Sequence, residues 1–523
     1  MFGKQNAADT PWSKSEESPK CSHCLNTYFT MSSSRHISYV AREIFPACLL
    51  AGVGMVVAGC YVDMLKSTGT LTLKGESIFE IIPPILGLKG NLEVALSSRL
   101  ATVVHLRRKF NELSFWLFTT TLAFILVLAV FASTIIPLVI VTLHKSSSSS
   151  DSSVDLVHLT CISSMTCICA TCFISTAVYV IVCACVFCGA NPDNVAPPVA
   201  AALGDLVTVL ILAHVNYYFI THPTLTFTVA VCMIFAVSIL SISYLLYQSN
   251  INVSGDLRSL IITPNTFKET IIPLTLAVIM SSICGNISAR FLIDWPIIAR
   301  LQVPINGVGG IFASMLISRM TTRLYSITCS KKLPMKKLFF VSSTTTLVKV
   351  EKVNPDDSDK KLTSTNNSHS HTSSQSLETL KSCRKLREIH TDVSQVSKLI
   401  RFLCVPLHFI LSIVSVTVNY YLKGDDASKI TTSPLQFDIL IPYLFAGFIQ
   451  ICILLKFAKF IVLQLWKYLH FTKQLNSHDN VVSLASLDFS SIAVTTGAGD
   501  LLGTSLLVLC LSMNKWIVYN LFL

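Results

Sequence analysis

Charged side chains are scarce in this 523-residue chain. Asp, Glu, Lys and Arg make up 13% of it, whereas about 25% is usual for a soluble domain. Hydrophobic residues reach 52%, and the mean hydropathy is +0.61. These values exclude a soluble globular protein and predict a polytopic membrane protein. The first forty residues lack the apolar core of a cleavable signal peptide, so we expect an internal segment to lead insertion.

Several sequence motifs of enzymes and pumps are also missing. The chain has no G-x-x-x-x-G-K-[ST] phosphate loop, no G-x-S-x-G and no H-E-x-x-H, which argues against ATP-driven pumping by that fold and against an enzyme. Many of the eighteen cysteines lie in the apolar run 161–188, where small side chains are expected to pack rather than bind zinc. Cys21-Ser-His23-Cys24 has no second pair and is a weak metal signal.

What the sequence does contain is a series of apolar runs long enough to cross about 30 Å of hydrocarbon. Eleven membrane-spanning helices are predicted in an all-α protein, and the second and eighth are the least hydrophobic. Those two helices need protein neighbours. The runs lie near 44–65, 78–103, 113–143, 161–188, 195–220, 225–247, 270–293, 297–325, 399–419, 436–466 and 484–512.

Lys and Arg in the loops orient the predicted helices, because these residues concentrate on the cytoplasmic side. Arg107, Arg108 and Lys109 follow the second run, and basic residues are frequent both before the first run and after the eighth. The N-terminus is therefore predicted inside and the C-terminus outside, in the plasma membrane.

One pattern occurs twice, at Pro84–Arg99 and at Pro304–Arg319, with matching Pro, Gly, Ser and Arg positions. The chain is therefore a duplication, with five helices in each copy. The additional run at 225–247 turns the chain back over, so both copies enter the membrane from the same side. Parallel repeats of this kind are related by an axis along the membrane normal.

The predicted organisation follows from the runs and the duplication. A cytoplasmic arm and the first repeat precede a connecting helix, and a disordered cytoplasmic linker rich in Ser, Thr and Lys interrupts the second repeat. Phosphorylation of that linker is an alternative role to that of a plain spacer. The predicted segments are 1–43, 44–220, 225–247, 270–325, 326–398 and 399–512.

Acidic residues recur inside the apolar runs. Asp193 and Asp205 in the first copy match Asp488 and Asp500 in the second, at the same spacing. A carboxylate at bilayer depth costs several kcal/mol, so such residues usually face a wet cavity or an ion. Mg²⁺ takes oxygen ligands and is usually held through one or two carboxylates with waters retained. Each pair would be separated by about 18 Å along a helix, one residue near an entrance and the other near the midplane.

The Pro/Gly block of the first copy also carries Asn91 and Glu93, which are predicted to add polar lining to an ion path. In the alternative interpretation the block's glycines only allow tight helix packing and Glu93 pairs with Lys89 or Arg99. The candidate metal ligands are thus Asp205, Asp500, Asp193, Asp488, Asn91 and Glu93.

The repeated P-x-x-G-x-x-G-N and P-D-x(10)-G-D blocks resemble the membrane domain of MgtE-type magnesium transporters, doubled as in solute carrier family 41. The resemblance implies that Asp205 and Asp500 are the Mg²⁺ ligands of a pore. The second copy departs from the pattern at Ile311 and Leu316, and its Asp488 lacks the neighbouring prolines. Asn191 stands where the family usually has Asp.

The sequence therefore predicts a transporter that moves Mg²⁺ or another divalent cation between two pseudo-symmetric repeats. No resident cofactor is expected, since Mg²⁺ is the substrate, and the partners are the lipid bilayer and Na⁺ if transport is coupled. Two alternatives stay open. The protein could be a Na⁺/Mg²⁺ exchanger rather than a channel-like carrier, or a transport-deficient Mg²⁺-binding regulator.

Overall fold

A computed structural model describes most of the apolar part of the chain. Cys21, His23, Cys24 and Asn191 lie outside the described residues. The described residues are 33–68, 72–73, 76–77, 79–107, 111–145, 156–188, 190, 192–249, 264–292, 294–330, 370–423, 437–475 and 484–522.

Eleven α-helices account for nearly all of these residues, which confirms the predicted all-α fold and the number of helices. A short antiparallel strand pair, β1 (Thr72–Leu73) with β2 (Glu76–Ser77), and a 3₁₀ turn at Phe79–Ile81 precede the second helix. The helices are α1 (Ser33–Ser67), α2 (Ile82–Arg107), α3 (Asn111–Lys145), α4 (Leu156–Cys188), α5 (Pro192–Thr221), α6 (Pro223–Ser249), α7 (Pro264–Phe291), α8 (Ile298–Ser330), α9 (Ser370–Lys423), α10 (Phe437–Leu475) and α11 (Leu484–Phe522).

Ten of the helices are long and apolar enough to cross a membrane, so the protein is an integral multi-pass membrane protein. The exception is α2, which carries Lys89, Glu93 and Arg99. All three side chains are buried. The helix is therefore surrounded by protein rather than lipid, as its low hydrophobicity required.

The helix contacts follow a two-fold pattern in which α1–α5 correspond to α7–α11. Within each repeat the fifth helix packs on the first, second and fourth helices of its own repeat, and across the repeats α1 packs on α8 as α7 packs on α2. The additional helix α6 packs only on α3, α4 and α5 at the periphery among the described contacts. These contacts agree with two five-helix repeats.

Two glycines mark the equivalent crossings of α1 with α8 and of α7 with the start of α2. A Cβ atom at Gly59 would lie 2.6 Å from the carbonyl oxygen of Arg300, and one at Gly285 would lie 2.5 Å from that of Glu80. Only a residue without a side chain lets the backbones approach so closely. The equivalence of Gly59 and Gly285 also fixes the register between α1 and α7.

The predicted boundary of the linker needs correction. The segment 326–398 was expected to be disordered, but α8 continues to Ser330 and α9 begins at Ser370. Val393 and Val396 are buried, and the Arg323 guanidinium lies 2.7 Å from the Asp392 carboxylate. Helix α9 therefore begins well before its candidate membrane span, which runs from Thr391 to Leu422. Helix α1 likewise begins at Ser33, inside the predicted arm 1–43.

We expect Gly59→Ala and Gly285→Ala each to lower the stability of the folded protein, because a methyl group at either crossing meets a backbone carbonyl. Overpacking of this kind costs about 1–3 kcal/mol. Thermal unfolding of the detergent-solubilised chain measures the effect. The matched control is Gly204→Ala, since no atom lies within 4 Å of a Cβ at that position. That variant should be unchanged or slightly more stable, and equal losses in all three variants would contradict the close-approach explanation.

Candidate cation site

A cavity of about 690 Å³, including the space at its open mouth, lies between the two repeats. Its walls come from α1, α2 and α5 of the first repeat and from α8 and α11 of the second. Asp205 and Asp500 both line it, one from each repeat, and Asn91 lines it as well. The structure therefore brings together three of the six candidate ligands at one place.

The cavity walls are acidic and carry no basic side chain. None of the described residues that line it is Lys, Arg or His. Asp205 and Asp500 are close enough for their charges to repel each other. A pair of carboxylates in such surroundings creates a strongly negative potential, which attracts a cation.

The glycines of the repeated block allow α2 and α8 to come close to the acidic helices. A Cβ atom at Gly87 would lie 2.6 Å from Oδ2 of Asp500 and 2.8 Å from Oγ of Ser281. Its counterpart Gly307 faces the thioether of Met55. Both glycines line the cavity, so the absence of side chains there opens the space beside the carboxylates.

The two aspartates have unequal neighbours. Ser281 of α7 donates a hydrogen bond from Oγ to Oδ2 of Asp500, at 2.8 Å. The equivalent position in α1, four residues before the crossing glycine, is Met55, which cannot donate a hydrogen bond. In the part of the chain that is described, no side chain is hydrogen-bonded to Asp205. Asp500 is therefore the more firmly oriented carboxylate.

Asn91 is held at the cavity by the second repeat. Its side-chain oxygen contacts the hydroxyl of Thr496 on α11, one helical turn before Asp500. The second copy has Ile311 at the position of Asn91, and this residue also lines the cavity. Polar lining at this level of the cavity thus comes from Asn91 and Thr496.

Glu93 does not line the cavity, so its expected place in the ion path is corrected. Its carboxylate lies 2.8 Å from Nζ of Lys89 and accepts a hydrogen bond from Oγ of Ser175 at 2.9 Å. Both charged side chains are fully buried. The alternative interpretation, an ion pair between Lys89 and Glu93, is the arrangement observed. The pair faces α4 because Ser175 belongs to that helix.

Asp193 lies outside the cavity. It contacts the Ser-Arg pair that ends the Pro/Gly block of the other repeat. Ser318 donates a hydrogen bond to Oδ1 of Asp193 at 2.8 Å, and Nη1 of Arg319 donates one to Oδ1 of Asn194 at 2.7 Å. None of these residues is part of the cavity lining. Asp193 is therefore tied to the opposite repeat.

Asp488 is fully buried in the equivalent place, near Ser98 and Arg99 of the first repeat. Unlike Asp193, neither of its carboxylate oxygens accepts a hydrogen bond from the described residues. Each repeat thus presents its Ser-Arg pair to the acidic block of the other, and we name these two contacts the reciprocal clamps. The Ser-Arg pairs and the acidic residues could both be recognised in the sequence. The sequence did not show that each Ser-Arg pair contacts the acidic block of the other repeat.

Comparison with known proteins agrees with this architecture. The family MgtE, described as a divalent cation transporter, matches residues 82–215. Solute carrier family 41 member 3 of Rattus norvegicus is 27% identical over 90% of this chain and 86% of its own length. Member 2 of Homo sapiens is 28% identical over 56% of this chain and 50% of its own. The resemblance to solute carrier family 41 is confirmed. No solved structure matches.

Sequence reasoning missed several side chains at the cavity, namely Gln302, Asn306, Thr496 and, behind Asp500, Ser281. One signal was available. Gln302 and Asn306 are four residues apart, so they lie on one face of an apolar helix.

We expect Lys89→Met and Glu93→Gln each to destabilise the protein by about 3–5 kcal/mol, since removing one partner leaves the other charge buried and unpaired. The double variant should recover most of that loss because no charge remains. Thermal unfolding of the four proteins gives these values.

The same double variant separates pairing from ion binding. If Glu93 serves only Lys89, the double variant should keep the wild-type affinity for Mg²⁺, measured by equilibrium dialysis. If the folded double variant binds Mg²⁺ more weakly than the wild-type protein does, Glu93 is a ligand of the ion.

Proposed function

We propose that the protein transports Mg²⁺ across the membrane through the cavity between its two repeats, with Asp205 and Asp500 as the central ligands. The family supports divalent cation transport in general. The observation that carries the finer proposal is that one carboxylate from each repeat lines the same cavity and no basic side chain does so among the described residues.

The chemistry of the lining favours a hard cation. Every polar side chain that lines the cavity contains an oxygen atom that can bind a metal ion. These side chains are Asp205, Asp500, Asn91, Gln302, Asn306 and Thr496. Carboxylate and carbonyl oxygens suit Mg²⁺, Ca²⁺ and Mn²⁺, whereas Zn²⁺ and Cu²⁺ are usually bound by imidazole or thiolate. Two carboxylates with retained water are the usual protein contribution to a Mg²⁺ site.

In the proposed orientation the N-terminus lies on the cytoplasmic side of the plasma membrane, since Arg107 ends α2 and Arg108 and Lys109 follow it. The reciprocal clamps then lie at the cytoplasmic end, because Asp193 and Asp488 come near the start of α5 and α11. We propose that they hold the repeats together at that mouth.

Replacement of either central carboxylate tests the proposal. Asp205→Asn and Asp500→Asn should each lower Mg²⁺ flux into sealed proteoliposomes by at least about tenfold, because half of the charge that offsets the ion's desolvation is lost. The matched control is Asp294→Asn, an exposed aspartate outside the cavity lining, which should keep wild-type flux.

The same vesicles distinguish the modes of transport. Flux that is unaffected by an imposed Na⁺ gradient favours a channel-like carrier, and flux that depends on it identifies a Na⁺/Mg²⁺ exchanger. Unchanged flux in both Asn variants would contradict the central role of Asp205 and Asp500. Mg²⁺ binding without any flux in the wild-type protein would identify a regulator instead.

A further inference from the structure

Two adjacent helices of the second repeat carry basic side chains within their candidate membrane spans. Lys398 and Arg401 lie three residues apart on α9, and Lys456 and Lys459 lie three residues apart on α10. Lys398 and Lys456 are exposed, and the other two are half-buried. We name these four residues the basic patch. A basic side chain within a span is costly unless it reaches the interface or a negatively charged partner.

The two halves of the basic patch approach each other. Helices α9 and α10 are antiparallel neighbours, since Cys404 contacts the backbone of Gly447 and His408 contacts Tyr443. Side chains lean toward the N-terminus of their own helix, so those of Arg401 and Lys459 lean toward each other. Their positive charges are close enough to interact. An anion at this place would therefore offset a repulsion between like charges.

The basic patch has no acidic partner within the described part of the chain. None of its four side chains forms an ion pair there, and Asp392, the acidic residue next along α9, pairs instead with Arg323 of α8 at 2.7 Å. Nε of Arg401 donates a hydrogen bond to the carbonyl oxygen of Ser397 at 3.1 Å. The guanidinium is thus directed back along α9, and its two Nη groups are left for an acceptor outside the described chain.

The depth of the basic patch matches a membrane interface. Each of its two candidate spans is 32 residues long, whereas about twenty residues cross the hydrocarbon. Arg401 precedes the exposed Tyr421 by twenty residues, and Lys456 follows the exposed Phe437 by nineteen. At about 1.5 Å per residue both intervals are close to 30 Å. The patch therefore lies about one hydrocarbon thickness from the opposite ends of its helices, at the level of lipid headgroups.

The first repeat has no such patch. Its corresponding helices α3 and α4 contain no charged residue within the candidate spans Phe115–Leu143 and Leu156–Cys188. Helix α6 packs on both of them, whereas no described helix covers α9 and α10 in the same way. Phe402 and Phe460, which directly follow Arg401 and Lys459, are 77% and 56% exposed. The patch therefore borders an apolar surface that acyl chains can cover.

We propose that the basic patch binds the headgroup of an anionic phospholipid, with Arg401 and Lys459 on its phosphate and the acyl chains over Phe402 and Phe460. Phosphate oxygens accept the paired N–H groups of a guanidinium, and basic residues beside a membrane attract anionic lipids of the cytoplasmic leaflet. The leaflet follows from the proposed orientation, but the binding itself requires neither that orientation nor Mg²⁺ transport.

Lipid binding to the purified full-length chain tests this inference. Phosphatidylserine and phosphatidylcholine with the same acyl chains are titrated against the protein in detergent, and bound lipid is counted by native mass spectrometry. The wild-type protein should bind phosphatidylserine at least about tenfold more tightly than phosphatidylcholine, because each basic side chain near the headgroup adds to the attraction. Arg401→Gln combined with Lys459→Gln should abolish that preference.

The matched control is Arg42→Gln combined with Lys268→Gln. Both residues are exposed and lie on α1 and α7, so this variant loses the same net charge while the basic patch stays intact. It should keep the preference for phosphatidylserine. An equal loss in both double variants would reduce the effect to net charge and overturn the site, as would equal affinities of the wild-type protein for the two lipids.

Two further measurements keep the outcome decisive. Soluble glycerophosphoserine, which has the headgroup without acyl chains, should not displace the lipid at the same concentration, and displacement would reject the lipid in favour of a free phosphate anion. Thermal unfolding monitors each variant. If the Arg401 and Lys459 double variant unfolds, Lys456→Gln, at an exposed position, must weaken phosphatidylserine binding or the inference is rejected. A wild-type protein that binds the lipid and moves no Mg²⁺ would refute the proposed function alone.

Discussion

Two like charges held in an apolar interior are the constraint on which the rest of the structure depends. Asp205 and Asp500 face one cavity without a basic side chain among its described lining residues, and two like charges in an apolar interior are costly unless water or a cation offsets them. Glycines bring α2 and α8 close enough to shape the cavity around the two carboxylates. Helix α2 can contain charged residues because the other helices shield it from lipid.

Duplication explains the two-fold arrangement of the helices. The two copies nevertheless differ in their buried polar residues. The first copy buries the Lys89–Glu93 ion pair against α4, whereas the second has Gly309 and Ala313 at those positions, with the amide of Gln450 next to Gly309. Ser281 orients Asp500, but no equivalent donor serves Asp205. A homodimer could not carry such differences, because a change in one subunit would appear in both.

Much of this architecture was predictable from the sequence. The length of each apolar run predicts a membrane helix, and the internal repeat predicts which helices of the two halves correspond. Hydropathy gave eleven helices, and the repeated block gave the parallel repeats. Contacts between distant helices were not predictable. Nothing in the order of residues says that Glu93 turns toward Lys89 and Ser175, or that Ser281 reaches Asp500. The start of α9 at Ser370 was missed because the polar composition of that stretch resembles a solvated linker, although Val393 and Val396 are buried. Gln302 and Asn306 were overlooked because they belong to no shared motif.

The reciprocal clamps have a consequence for biogenesis. Asp193 emerges from the ribosome long before Ser318 and Arg319, and Ser98 and Arg99 emerge long before Asp488. A nascent chain that has inserted only its first six helices therefore holds acidic and basic groups whose partners do not yet exist. Neither half is a finished folding unit, since α8 supplies the partners of Asp193 and α11 supplies Asp488. Premature termination within the second repeat would leave the first with unmatched polar groups in the bilayer, a recognisable signal for membrane quality control.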